Sequence, residues 1–228
     1  MAGDNKIIQW NCNGLRGHRV ELELLLSNYS PSIVCLQETK LTPDKENGMT
    51  FKGYVTYYKS NQSGNGGVGI LVKNEVFKSR VPLKTNLQAI AVCVTIRGTT
   101  FIISSIYAPP NSNPPLTEYR NLIGQFPKPF LLCGDFNAHS PLWASSYTND
   151  HGKVIEDILD EFGLVPLNTT EFTFNKISFS PSLIDLSLVH PSIYLNFTNK
   201  VISDQYHSDH HPILLTINEE WSKYTKTE

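Results

Sequence analysis

The sequence predicts one layered α/β domain, and three observations carry that reading. Short apolar runs of strand length recur along the chain, and several of them collapse into polar residues at their ends. Leucine-rich stretches at helical spacing follow some of these runs, as strand-turn-helix units require. The length of 228 residues suits a single domain with a substantial core. The sharpest strand end is Phe130-Leu131-Leu132-Cys133-Gly134-Asp135-Phe136-Asn137-Ala138-His139. Ligands in layered α/β proteins gather just beyond such ends, and in an extended backbone Asp135 and Asn137 both point away from the side of Phe136. Taken alone, the motif reads more simply as a Gly-Asp turn with Asn137 as an Asx-type loop residue.

The elements follow in order. Residues 7–12 form a first strand closed by Asn13-Gly14, and 20–26 a helix packed on a sheet. A second strand, 33–36, is framed by Pro31 and Pro43 and ends at Gln37-Glu38-Thr39-Lys40, which places another carboxylate at a strand end. Runs 54–59 and 67–73 read as paired strands joined by the loop 60–66. Its glycines make no phosphate cradle, because the terminal Lys-Ser/Thr and the following helix are missing. The β-branched runs 87–96 and 100–107 flank Arg97-Gly98 as a hairpin ending in Tyr107-Ala108-Pro109-Pro110. A short helix-like piece, 116–126, stops at Pro127 and Pro129, and a second helix, 154–162, stops at Gly163. Runs 172–175 and 183–189 are further strands, the latter with Asp185 in an apolar line, where an unpartnered carboxylate is costly. The polar, His-rich segment 203–212 leads to a last strand, 213–217. The domain is expected to span 1–220, with 221–228 a polar tail or the start of a linker.

Composition excludes several classes. With 19 basic and 21 acidic residues, the chain is not held on nucleic acid by bulk charge, so any such contact is local. Cys12, Cys35, Cys93 and Cys133 lie far apart inside apolar runs, which is packing rather than zinc ligation. No apolar signal segment and no run of transmembrane length occurs, which suggests a soluble intracellular protein.

Collected together, the polar strand ends are Asn11, Glu38, Tyr107, Asp135 with Asn137, Asp185, and Ser208-Asp209-His210. Hydrolysis of a phosphodiester near neutral pH needs a cation to neutralise the phosphate, a base for water and donors for the developing charge. Glu38 suits Mg²⁺, which prefers few protein oxygens and several waters. Asn11 can support the ion or orient the phosphate. His210 can act as a base or as a transition-state cation if Asp185 holds its other ring nitrogen. Each residue also has an ordinary reading: Glu38 as a surface charge, Tyr107 as a packing aromatic, Ser208-Asp209 as a cap. His18, His151, His190 and His207 are read as structural.

Six ordered motifs then carry a resemblance: Trp10-Asn11-Cys12-Asn13-Gly14, Gln37-Glu38-Thr39-Lys40, Ile106-Tyr107-Ala108-Pro109, Gly134-Asp135-Phe136-Asn137, Leu183-Ile184-Asp185 and Ser208-Asp209-His210. From Lys6 to about Ile217 the chain resembles the endonuclease/exonuclease/phosphatase superfamily. It looks most like the apurinic-like endonuclease domain of non-LTR (LINE-type) retrotransposon polyproteins, and Asn137-Ala138-His139-Ser140-Pro141-Leu142-Trp143 is similar to jockey-like arthropod elements. The resemblance implies a DNase I-like, four-layered αββα sandwich of two mixed β-sheets flanked by helices. It implies Glu38 as ligand to Mg²⁺ (or Mn²⁺ in its place), with Asn11 and Asp209 completing the metal network. Tyr107 and Asn137 would hold the phosphate, Asp135 would orient or deprotonate water, and Asp185 would pair with His210. Either Asp135 or His210 takes the proton. Thr173 and Ser208 are assigned to substrate contact.

The implied function is a nick in one strand of double-stranded DNA, leaving a 3′-hydroxyl that primes a reverse transcriptase domain of the same polyprotein, in the nucleus. Two departures stand out: His211 doubles the histidine, and the loop 169–181, where such enzymes probe the minor groove, is short and lacks arginine. The rivals are an abasic-site repair enzyme, a small-substrate phosphodiesterase or phosphatase, and a catalytically inactive DNA-targeting module.

Overall fold

A computed structural model describes residues 5–168 and 170–218; the expected tail at 221–228 lies outside them. In chain order the elements are β1 (Lys6–Asn11), α1 (Arg19–Tyr29), β2 (Ile33–Gln37), α2 (Pro43–Glu46), β3 (Tyr54–Lys59), β4 (Val68–Lys73), β5 (Phe77–Val81), β6 (Gln88–Ile96), β7 (Thr99–Tyr107), α3 (Leu116–Ile123), β8 (Phe130–Asp135), α4 (Asp150–Phe162), β9 (Val165–Pro166), β10 (Asp185–Val189), β11 (Phe197–Val201) and β12 (Ile213–Ile217). They build two six-stranded sheets, in the orders β11-β12-β1-β2-β4-β3 and β5-β6-β7-β8-β10-β9.

The two sheets share one plan. Each has a single parallel pair, β1 with β2 and β7 with β8, and every other pairing is antiparallel. The inner faces pack Ile7, Ile33, Val68, Val92, Ile103, Leu131 and Leu215 into the central core. Outside one sheet, α1 closes a second core through Leu22 and Leu25 over Trp10 and Leu36; outside the other, α3 and α4 close a third around Leu122, Ile155 and Phe136. Strands covered on both faces are apolar throughout rather than alternating, which is why β2 and β8 are buried at every position. The sequence-derived expectation of a four-layered αββα sandwich holds.

One layer behind the strand ends, glutamines of the first sheet reach across the core. Gln9 Nε2 donates to the Gly134 carbonyl (3.0 Å) and Ser187 Oγ donates to Gln9 Oε1 (2.8 Å). Gln37 Nε2 donates to Ser105 Oγ (2.9 Å), which donates to the Leu36 carbonyl (2.8 Å). Buried amides demand such partners, and these bonds fix the register of one sheet over the other directly beneath the site.

Three expectations need correction. Segment 172–175 is not a strand: Phe174 makes only isolated bridges, to Ser182 and to His210. β5, β9 and β11 went unread because β5 and β11 are exposed edge strands with little alternation and β9 is two residues long. Helix α4 begins four residues early, since Asn149 caps it by accepting from Gly152 N–H.

Candidate active site

The carboxyl ends of the two parallel pairs meet at one edge of the sandwich. Asn11 and Gln37 are opposite each other at the ends of β1 and β2, as are Tyr107 and Asp135 at the ends of β7 and β8. Asp185 opens β10 opposite Asp135. Asn11 joins the sheets: its Nδ2 donates to Asp135 Oδ2 at 2.8 Å and to Glu38 Oε1 at 3.3 Å. Four residues of the site sit in left-handed backbone, Asn13 (φ 45°), Glu38 (φ 48°), Lys40 (φ 50°) and Asn137 (φ 47°). Asparagine tolerates that region and glutamate does so at a cost, so the turn after β2 stores strain at the site. The extended geometry expected through Asn137 therefore ends at Asp135. Asn137 instead turns back, its N–H donating to Asp135 Oδ1 (3.1 Å) and its amide to the Ala108 carbonyl (3.0 Å).

The deep part of the site is a chain of ionisable groups. His210 Nδ1 lies 2.7 Å from Asp185 Oδ2, and its Nε2 is 3.9 Å from Asp135 Oδ2. All three are almost fully buried. Burial alone pulls the imidazole down, but the charge and hydrogen bond of Asp185, then the charges of Asp135 and Asp209, outweigh it and raise His210 to about 9. Asp135 rises to about 7 through burial and the Asp185 charge, against the lowering effects of His210 and Asn11. Thr173 and Ser208 support this chain rather than face a substrate. The buried Thr173 hydroxyl donates to Asp185 Oδ2 (2.7 Å), while Ser208 Oγ donates to the Asn11 carbonyl (2.8 Å) and accepts from His210 N–H (3.2 Å). Trp10 Nε1 donates to the His210 carbonyl, and Phe174 packs edge-on to the imidazole at 5.0 Å.

The rim is built from Glu38 and Asp209, both half-buried. Burial would raise Glu38, but the hydrogen bond and charge of Lys40 (3.0 Å to Oε2) and hydrogen bonds from Asn11 and Tyr107 outweigh it and hold the carboxyl below its usual range. Asp209 is likewise lowered, with the His210 charge and Lys176 (3.2 Å) overcoming burial. Asn13 Nδ2 donates to Asp209 Oδ1 at 3.0 Å, and Lys40 bonds to Asn13 Oδ1. Tyr107 is pushed far up by burial and by Glu38, so it stays a neutral phenol donating to Glu38 Oε1 at 2.9 Å.

This donor set fits a hard divalent cation. Glu38, Asp209 and Asn11 offer oxygens, and lysine ammoniums already lie against both carboxylates. One ligand atom each of Asp135, Asp185 and His210 also falls within 4.8 Å of the others. However, Asp185 Oδ2 and His210 Nδ1 are engaged by each other, so that trio reads as an ion-paired relay in which, among the described residues, Asp185 Oδ1 is buried without a hydrogen-bond partner. Every site residue picked from the sequence lies in this one network. Sequence reasoning missed Asn13, Lys40 and Lys176 as members, although Asn13 and Lys40 stood inside the quoted motifs. It also missed Gly66 (φ 73°): a Cβ there would lie 2.8 Å from the Tyr107 ring, so the loop before β4 backs the phenol. His151, read as structural, is buried on the carbonyls of Phe136 and Ser112.

A two-sheet sandwich with a buried histidine-carboxylate relay beside an oxygen-rich rim defines a DNase I-like hydrolase of phosphate esters. The chain belongs to the Endonuclease/Exonuclease/phosphatase family, matched over residues 8–210, whose nucleases use divalent metal. Over 220 residues (93% of this chain, 24% of the relative) it is 27% identical to the RNA-directed DNA polymerase from mobile element jockey of Drosophila funebris. It thus spans about a quarter of the length of that curated relative. A 73-residue stretch, 30% of the chain and 14% of the relative, is 40% identical to DNA-(apurinic or apyrimidinic site) endonuclease 2 of Xenopus laevis. Among solved structures, the endonuclease domain of TRAS1, a telomere-specific non-LTR retrotransposon, superposes with a TM-score of 0.79 at 22% identity, covering 93% of this chain and 98% of that one.

Proposed function

We propose that the chain is the endonuclease domain of a jockey-like non-LTR retrotransposon polyprotein, a Mg²⁺-dependent enzyme, with Mn²⁺ as substitute, that nicks one strand of double-stranded DNA. The nick leaves a 3′-hydroxyl and a 5′-phosphate. The 3′-hydroxyl primes the reverse transcriptase domain of the same polyprotein, acting in the nucleus. The observation that carries this reading is His210 held between Asp185 and Asp135, next to a rim of half-buried carboxylates. The jockey likeness supports the polyprotein context.

The residues divide the reaction as follows. Glu38, Asp209 and Asn11 would hold the divalent cation, which when bound would supply charge neutralisation of the scissile phosphate. Tyr107, a neutral donor, and the Asn137 amide hold phosphate oxygens. Asp135, raised to about 7 and hydrogen-bonded by Asn11 and Asn137, takes a proton from water at neutral pH. The water oxygen bonds to phosphorus as the bond from phosphorus to the 3′-oxygen breaks in line, and the departing 3′-oxygen takes a proton from solvent to become the hydroxyl. His210, raised to about 9, is already a cation there, so it stabilises the developing negative charge instead of acting as base. Asp185 and Thr173 keep the imidazolium oriented.

A second reading, abasic-site cleavage, is favoured by the local likeness to the Xenopus enzyme. One experiment separates them: conversion of supercoiled plasmid to open circle with Mg²⁺, with EDTA and with His210→Ala, beside an oligonucleotide carrying one abasic site. The priming-endonuclease reading requires metal- and His210-dependent nicks in undamaged plasmid with polymerase-extendable ends. Cleavage confined to the abasic oligonucleotide supports the second reading, and a folded but inactive protein rejects both.

A further inference from the structure

On the same end of the sandwich, beyond Tyr107, the outer edges of the two sheets enclose a cleft of about 450 Å³ lined by Lys59, Arg80, Val81, Pro82, Leu83 and Ala89 among others. Lys59 ends β3 and lies opposite Val68, the first residue of β4; Gln88, next to Ala89, lies opposite Tyr107. The Lys59 and Ala89 end of the cleft is therefore level with the active-site edge, while Arg80, opposite Val92, starts further down β5 and reaches back to the Tyr58 carbonyl; β5 lies two strands from β7, because β5 follows β6 and β6 follows β7 in the sheet.

Its charge is one-sided. Lys59 is half-buried and donates to the carbonyls of Leu87 (2.8 Å) and Thr85 (3.3 Å), while Arg80 makes one long contact, 3.4 Å to the Tyr58 carbonyl. Among the described residues neither cation pairs with a carboxylate. Burial and then the Arg80 charge lower Lys59, as expected of two cations facing each other with no anion between them. A second cleft of about 480 Å³ makes the contrast: Glu23 and Glu75 balance Lys52 and Lys73 there, at the opposite end of β4. In a chain of net charge −2, two uncompensated cations in one concave site are a local positive focus.

We propose that Lys59 and Arg80 seat a phosphate of the DNA backbone outside the scissile position. Two strand spacings separate β5 from Tyr107 and three separate it from Asp135, ~10 to ~14 Å, so at ~3.4 Å of rise per base pair the seated phosphate lies about three to four base pairs from the nick. The guanidinium supplies a forked pair of donors, the remaining ammonium N–H a third, and Val81, Pro82 and Leu83 an apolar wall against the deoxyribose. This rests on reading the chain as a DNA endonuclease.

The test is fluorescence anisotropy with a duplex of about 20 base pairs across a salt series, using the unmutated protein, Arg80→Gln and Lys59→Gln, with circular dichroism to verify folding. Arg80→Gln should weaken binding about five- to tenfold at low salt and reduce the salt slope by roughly one. Trimming one duplex arm to fewer than about three base pairs beyond the nick should erase the difference between Arg80→Gln and the unmutated protein; trimming the other arm should not. Unchanged affinity and slope in both variants on the full duplex would overturn the proposal while leaving the endonuclease reading intact. Failure of the unmutated protein to bind duplex DNA at low salt would overturn both.

Discussion

The two sheets contribute matching positions to the site but unlike environments. Asn11 ends β1 as Asp135 ends β8, Glu38 follows β2 as Tyr107 ends β7, and His210 precedes β12 as Asp185 opens β10. In the second sheet both carboxylates, Asp135 and Asp185, are buried and, among the described residues, have no lysine partner; in the first, Glu38 and Asp209 are half-buried and each meets a lysine. Depth decides chemistry. A buried carboxylate next to another, such as Asp135 beside Asp185, is pushed into the neutral range and can exchange a proton, whereas a rim carboxylate against an ammonium stays charged and is suited to a cation.

The sharpest way to break this division is to disable each side separately. Asp135→Asn should lower kcat for plasmid nicking by about 10³-fold with Mn²⁺ affinity nearly unchanged, while Glu38→Gln should lose activity and weaken Mn²⁺ binding together. Electron paramagnetic resonance of free Mn²⁺ gives the second quantity, and equal metal loss in both variants would erase the distinction between deep and rim groups.

A smaller effect concerns protons. His210 and Asp135 both bind protons more tightly folded than unfolded. Stability from Asp135 is therefore present below about 3.8 and lost as pH rises through about 7, and that from His210 is present below about 6.5 and lost as pH rises through about 9. The metal-free protein should show a Tm that falls as pH rises from 5 to 9. His210→Gln should flatten the upper half of that fall; an unchanged slope between pH 7 and 9 would count against a charged imidazole.

The smallest expected effect is at the rim. Lys40→Met removes a partly exposed ion pair worth about 0.5–1 kcal/mol, so Mn²⁺ should bind metal-free protein about two- to fivefold more tightly. Weaker binding would mean that Lys40 supports the ion instead of competing with it.

Much of this was legible in the sequence because the site hangs on strand ends. A buried strand must be apolar, so Asp135 and Asp185 stand out against their neighbours, and the Asp185–His210 pairing follows from the cost of leaving the carboxylate unpartnered. Edge strands β5 and β11 were not legible, since one exposed face and few neighbours leave no pattern to read. Nor were Lys40 and Lys176, whose partners are set by three-dimensional proximity, or the inward roles of Thr173 and Ser208. Polar residues beside a motif look alike whether they face solvent or support the histidine from behind.

The first strand of the domain pairs with its last: β1 lies between β2 and β12, and His210 is three residues before Ile213, where β12 begins. A nascent chain emerging from the ribosome therefore carries Asn11, Glu38 and Asp135 long before it can close the sheet that brings His210 to them. Any piece ending short of β12 leaves an edge of β1 open and the histidine unplaced. The arrangement proposed for catalysis is therefore complete only once β12, the last strand to be synthesised, has paired with β1.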